Sequence, residues 1–321
     1  MPRSGCGRCR IAKIPSMRLR APGRVNLIGE HTDYAGGFCL PVAIDRYVVV
    51  AGGPADGLRL SSVVADPTRH VEAISTELTA LGRPSVGFSG TVTGDLPVGA
   101  GLGSSGAFGV AVGLALCLVA RFALDPIVLA DACRRAEAQA SGVRGGILDQ
   151  AASALGRAGH AVFLDCGKLE YAHVPLPDEI ALFVVESGVR RRVRDTAYAQ
   201  RRRELEAGHS RRVRHVETEN ERVLAAVEAL HRDDRRALSQ LFAASQRSLR
   251  DDFEVSTPEL DALVDLCLAL GAFAARLTGA GFGGSVVALT DADRAAGIVD
   301  ALGRTHRVHV CRAADGAGEL R

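Results

Sequence analysis

The stretch GDLPVGAGLGSSGAFGVAVGLALCLVARF, residues 94–122, places the strongest local constraint on this chain. A glycine-rich turn runs directly into about fifteen helix-compatible apolar residues. Gly99, Gly101, Gly103 and Gly106 fall within eight residues, so the backbone can adopt positive φ and come close to an anion. The turn opens a helix, whose free N–H groups and dipole favour phosphate. Ser104 and Ser105 add hydroxyls that can reach phosphate or a metal. Residues 101–106 also fit G-x-G-x-x-G. A dinucleotide site, however, needs a second parallel strand ending in an acidic residue, and here ALDP and another helix follow instead. No G-x-x-x-x-G-K-[ST] is present. The competing structural reading is an ordinary tight turn with close helix packing. A second cluster, Gly279-Ala280-Gly281-Phe282-Gly283-Gly284, lies far away in sequence, which suggests several loops converging on one anionic ligand.

Strand and helix patterns interleave on both sides of this loop. Strands are predicted at 18–28, 44–51, 58–64 and 86–93, and a helix runs from the cap Asp125-Pro126 to about residue 140. GGILDQAASALG opens a short helix, and HAVFLDCGKLEYAHVPLP reads as two strands and a turn. After Pro175 and Pro177 the pattern restarts with the strand IALFVVESG, so a domain boundary is placed there. Helices follow at 196–205, 215–231, 235–249 and 258–270, then the strand SVVALT, a helix from Asp293 and the strand RVHVCRA. The class is α+β or α/β, and 321 residues suggest about two domains.

Composition excludes several functions. A formal net charge of +2 gives no global case for nucleic acid as a partner. No apolar run reaches transmembrane length, 107–120 being too short, and no signal-like segment precedes residue 20, so a cytoplasmic protein without a membrane partner is expected. Most of the eight cysteines sit singly in apolar stretches as small hydrophobes. Cys6 and Cys9 form a lone C-x-x-C without the second pair that zinc needs. Residues 1–17 are read as a flexible tail, with 1–16 dispensable or a misassigned start before Met17.

The remaining puzzle is APGRVNLIGEHTDYAGG, where Arg24, Glu30, His31 and Asp33 crowd beside a short apolar run. PGRVNLIGEHTDYAGG, LPVGAGLGSSGA and LTGAGFGGS resemble the three motifs of the GHMP kinases, and the first resembles the galactokinase signature within that superfamily. GGILDQ, LDCGKLE, HVETENERVLAAVEAL and SLRDDFEVSTPELDALVD resemble galactokinase segments in the same order, so the likeness covers about 18–290. It implies an α+β, two-domain GHMP kinase fold, with domains 18–176 and 177–321 and the active site in the inter-domain cleft. It also implies ATP, Mg²⁺ and transfer of the γ-phosphoryl group to the anomeric hydroxyl of galactose or a related aldose. By position, Asp149 is the implied catalytic aspartate with Arg24 beside it. Glu30, His31 and Asp33 bind sugar hydroxyls, and Gly146 and Tyr198 complete the pocket. Ser105 and Glu137 hold Mg²⁺, and Gly99, Ala100, Gly101, Leu102, Gly103, Ser104, Ser105 and Gly106 cradle the phosphates. The residue types suit this chemistry. A carboxylate can take the proton of a sugar hydroxyl, an arginine keeps it ionised and steadies the moving phosphoryl group, and carboxylates accept from adjacent hydroxyls.

The sequence departs from the resemblance in places. Gly103 replaces a serine, Ala138 a histidine, and Arg144-Gly145 a proline and cysteine. Arg190 is usual, whereas Arg192 and Arg194 stand where small, acidic or apolar residues are expected, and the segment after Arg203 is short. Arginine-rich coding and a solvated face account for this blandly. The sharper alternative is an anomeric kinase of an acidic or phosphorylated sugar, heptose- or octose-like, gripped by Arg144 and Arg192. A non-catalytic sugar sensor is a further alternative, which the retention of Asp149, Arg24, Glu137 and Ser105 argues against. The partner expected is a small-molecule sugar, bound by a monomer or small homo-oligomer.

Overall fold

The computed structural model describes residues 17–62, 67–97, 99–189 and 196–320. Arg190, Arg192, Arg194, Cys6, Cys9 and the tail 1–16 therefore lie outside the described residues. The first half runs β1 (Met17–Asn26), a 3₁₀ turn (Asp33–Ala35), β2 (Phe38–Cys39), β3 (Pro41–Ala55), β4 (Leu58–Ser62), α1 (Thr68–Ala80), β5 (Gly87–Gly94), α2 (Ser104–Val119), α3 (Pro126–Ser141), α4 (Leu148–Leu155), β6 (His160–Asp165) and β7 (Glu170–Pro175). The second half runs β8 (Ile180–Glu186), α5 (Thr196–Glu206), α6 (Ser210–His231), α7 (Arg235–Asp251), α8 (Pro258–Ala269), β9 (Ala274–Thr278), β10 (Ser285–Asp291), α9 (Ala295–Gly303), β11 (Val308–Cys311) and β12 (Gly318–Glu319).

Three sheets result, ordered β12-β1-β3-β5-β4, β11-β8-β10-β9 and β2-β6-β7. Every pairing is antiparallel except β4 with β5. α2 is apolar around its whole circumference, and it is buried accordingly between the first sheet and its neighbouring helices. The second sheet separates two cores by strict alternation. Leu182, Val184, Val287 and Leu289 face the large core shared with the first half. Phe183, Val185, Val286 and Ala288 face a smaller core closed by α8 and α9. The cysteines at 39, 117, 133, 267 and 311 are buried free thiols, as expected of small hydrophobes.

Most predicted elements are present. α1 was not expected, yet its buried Val71, Ile74 and Leu78 have helical spacing. β9 was missed because AARLT has little intrinsic strand preference, and its pairing with β10 imposes the strand. α6 starts five residues before its predicted start, and β3 runs well past both ends of the predicted strand.

Candidate active site

The β1–β3 ladder shifts register between Pro22 and Arg24. A bulge of this kind bends a strand and re-aims its side chains. Here it lets the Arg24 N–H donate to the carbonyl of Leu102, 2.9 Å away, which ties β1 to the glycine loop. Gly99, Gly101 and Gly103 all have positive φ, and Gly103 caps α2. Arg24 is 7% exposed. Its Nε and Nη2 reach Asp149 Oδ1 at 2.7 and 2.5 Å, and its Nη1 donates to the Gly101 carbonyl. Asp149 sits in the first turn of α4, at the positive end of the helix dipole. Both contacts fall on Oδ1, which leaves Oδ2 without a partner among the described residues.

The turn after β1 carries the other acidic groups. Gly29 has φ 98°, and a Cβ there would lie 2.6 Å from Cys39 Cα. His31 also has positive φ and stacks on Phe253, with ring centroids 4.4 Å apart, while its Nδ1 meets the Tyr34 hydroxyl at 2.9 Å. Tyr198 of α5 approaches both His31 and Tyr34. Glu30 is nearly buried. It pairs with Arg276 of β9 and accepts from the Gly279 N–H at 3.0 Å and Thr278 Oγ1 at 3.3 Å. Burial pushes the Glu30 carboxyl up, against the pull of Arg276.

The second half of the chain clamps this turn. From α6, Glu219 Oε1 accepts from the Gly29 N–H at 3.0 Å, His215 Nε2 donates to the Glu30 carbonyl at 3.1 Å, and Asn220 accepts from the Phe38 N–H at 2.8 Å. From β9, Arg276 Nη1 donates to the Leu27 carbonyl at 2.7 Å. Glu219 is fully buried, and burial alone would raise its carboxyl. The charges around it outweigh burial and hold it at about 2. His215 is itself pushed below its usual value by burial, so at neutral pH that hold rests on Arg276 and on Arg222, 2.7 Å from Glu219.

Asp33, Glu137 and Asp149 share one space. Burial, then the neighbouring Asp149, pushes Asp33 up to about 6, although the Leu148 N–H donates to it at 3.3 Å. Gly146 leaves room for it, because a Cβ there would lie 1.8 Å from Asp33 Oδ2 and the carboxylate would have to move. Glu137 of α3 hydrogen-bonds Ser105 and Gln150, and burial followed by the charge of Asp149 raises its carboxyl.

A cavity of about 630 Å³ joins these groups, within the usual range for small-molecule sites. Arg24, Glu30, His31, Asp33, Gly146, Asp149, Tyr198, Glu137, Gly99, Gly101, Gly103, Ser104 and Ser105 all line it. Ala100, Leu102 and Gly106 are buried and outside the lining; the Ala100 carbonyl accepts from Ser285 at 2.8 Å, and the Leu102 carbonyl accepts from Arg24. Arg144 is not in the lining, and its carbonyl accepts from Arg202, which lies over the Tyr34 ring. Sequence reading missed Asn26, Tyr34 and Gln150, each sitting inside a quoted motif, and Arg276, whose charge interrupts the otherwise apolar run AARLT.

Known families and solved structures match the chain along most of its length. The galactokinase galactose-binding signature matches residues 12–54, the GHMP kinases N terminal domain 68–157 and the GHMP kinases C terminal region 226–308. The galactokinase of Chloroflexus aurantiacus is 39% identical, over 90% of this chain and 87% of its own length. Human galactokinase is 36% identical, over 95% of this chain and 93% of its own length. The crystal structure of Lactococcus lactis galactokinase complexed with galactose superposes with a TM-score of 0.87 at 26% identity, covering 96% of both chains. Methanococcus jannaschii mevalonate kinase shares the fold at a TM-score of 0.74 and 20% identity. Fold and motifs thus define a GHMP kinase of two-domain α+β architecture. Within that class, the chain belongs to the galactokinase family.

Proposed function

We propose that the cavity is the active site of an ATP-dependent sugar 1-phosphotransferase, with the residue roles given below. The reaction is that of a galactokinase: the γ-phosphoryl group of ATP passes to the C1 hydroxyl of galactose. The observation that carries the roles is the Arg24–Asp149 pair, held between the glycine loop and the acidic turn. Asp149 Oδ2 takes the C1 hydroxyl proton as the oxygen–phosphorus bond forms and the bond to ADP breaks. General-base help of this kind contributes about 10²–10⁴ in rate. Arg24 holds Asp149 in place through Oδ1 and faces the charge on the moving phosphoryl group.

Asp33, His31 and Tyr198 receive sugar hydroxyls, while Glu30 shapes the pocket with its oxygens already engaged by Arg276, Thr278 and Gly279. The loop from Gly99 to Gly106 supports the phosphates through backbone N–H groups and the start of α2. The contact between Glu137 and Ser105 offers two hard oxygen donors beside this loop, which fits Mg²⁺ completed by phosphate and water. Bound there, the ion would neutralise charge on the phosphate oxygens. Domains 18–176 and 177–321 are the units we assign, with the cavity as the cleft between them.

The described lining carries four carboxylates, Glu30, Asp33, Glu137 and Asp149, against one guanidinium that is committed to Asp149. That balance favours a neutral sugar over an acidic one. The deciding test is ³¹P NMR of the product, with Asp149→Asn alongside. Galactose 1-phosphate from the wild type is expected, with turnover lower by about 10²-fold or more in the variant. Equal turnover would remove Asp149 from the base role.

A further inference from the structure

Asn26 ends β1, two residues after Arg24, and successive alternate residues of a strand share one face. Both side chains line the cavity, while Val25 between them is buried in the core. Asn26 is 0% exposed. Its backbone is fixed to the end of β9: the Asn26 N–H donates to Thr278 Oγ1 at 3.2 Å, and Thr278 Oγ1 lies 3.1 Å from the Asn26 carbonyl. Its side chain is different. Neither Nδ2 nor Oδ1 finds a hydrogen-bond partner among the described residues. Leaving a buried polar group unpaired is costly, so a fold that buries two such atoms on a cavity wall reserves them for what enters the cavity.

Position indicates what that is. On one side stands Arg24, tied to Asp149 and to the glycine loop at Gly101. On the other stand Thr278 and Gly279, where the second glycine cluster begins and lines the same cavity. Asn26 therefore lies between the two loops, on the strand face that carries the base-holding arginine. A carboxamide also suits this place electrostatically. It donates without adding charge, where an aspartate would confront four carboxylates and a triphosphate.

We propose that Asn26 is a catalytic residue whose Nδ2 donates a hydrogen bond to an oxygen of the transferring phosphoryl group. This rests on the kinase reading above. A donor aimed at charge that develops in the transition state is worth about 10²–10³ in rate, and it acts on turnover more than on ground-state binding.

The test compares wild type, Asn26→Asp and Asn26→Ala in the full chain. It measures kcat and KM for galactose and ATP, calorimetric Kd for galactose and for a non-hydrolysable ATP analogue, and thermal midpoints. The expected result is a kcat at least about 10²-fold lower in both variants, with both Kd values within about threefold of wild type. A kcat within threefold of wild type in Asn26→Ala overturns the proposal, whatever happens to the melting point. So does a loss confined to galactose Kd with kcat retained, which would make Asn26 a sugar ligand only. Should the wild type itself fail to phosphorylate galactose, the kinase reading fails independently of either variant.

Discussion

Replacing Asp33 by Asn should make the ligand-free protein more stable and worse at binding sugar. Asp33 sits at about 6, raised first by burial and then by Asp149. In the unfolded chain it titrates near 3.9. The folded state therefore holds this proton more tightly, and the stability the group contributes is full below about pH 4 and is lost as pH rises through 6. Two pH units correspond to about 3 kcal/mol. Asp33 keeps some contact with water, so about 1–3 kcal/mol is the expected cost of its charge at neutral pH. Asparagine carries no charge and still offers an oxygen to the Leu148 N–H. Thermal melts of both proteins from pH 4.5 to 8 should show Asp33→Asn higher by about 2–8 °C at pH 7.5, with the gap closing toward pH 4.5. Calorimetry should show galactose affinity lowered about 10–100-fold, the worth of a charge-assisted hydrogen bond. A variant less stable than wild type at pH 7.5, or a gap that does not narrow with acid, would refute the reasoning.

Two other substitutions probe how the turn is held. Glu219→Gln removes the anion between Arg276 and Arg222 while keeping an acceptor for the Gly29 N–H. A loss of about 2–4 kcal/mol is expected from breaking this buried charge set, seen as a lower melting point and a raised galactose KM. Because Glu219 is held at about 2, the wild type should shed this contribution only as pH falls below about 4.5. Gly146→Ala forces a methyl into Asp33 Oδ2. Calorimetric galactose affinity should drop at least about tenfold, since one displaced carboxylate hydrogen bond is worth that much.

The chemistry-bearing loops were legible because each is a contiguous string whose residue types state a task. Arg24 and Asp149 are 125 residues apart, but each sits within its own recognisable motif, so the pair could be anticipated. The clamp could not be. Glu219 meets Gly29 across 190 positions and Arg276 meets Leu27 across 249, and nothing local in α6 or β9 announces those partners. Arg144 drew notice by its place just before Gly146, and the lining takes in Gly145 and Gly146 but not Arg144. Asn26 was passed over for the opposite reason. Amid charged neighbours a neutral amide attracts no notice, and its significance lies in partners it lacks once buried.

The strand that begins the described chain is completed by the strand that ends it. β12 pairs with β1 at Leu19–Glu319 and Arg20–Gly318, and the Leu320 N–H donates to the Arg18 carbonyl at 2.8 Å. On a ribosome adding about 5–20 residues per second, β1 would be exposed for about 15–60 s before its outer partner is synthesised. For that interval the nascent protein carries an open sheet edge, a template for pairing with the wrong strand. The arrangement makes residues 318–320 guardians of residues 18–20, and puts a hazard of misassembly into the interval of synthesis between them.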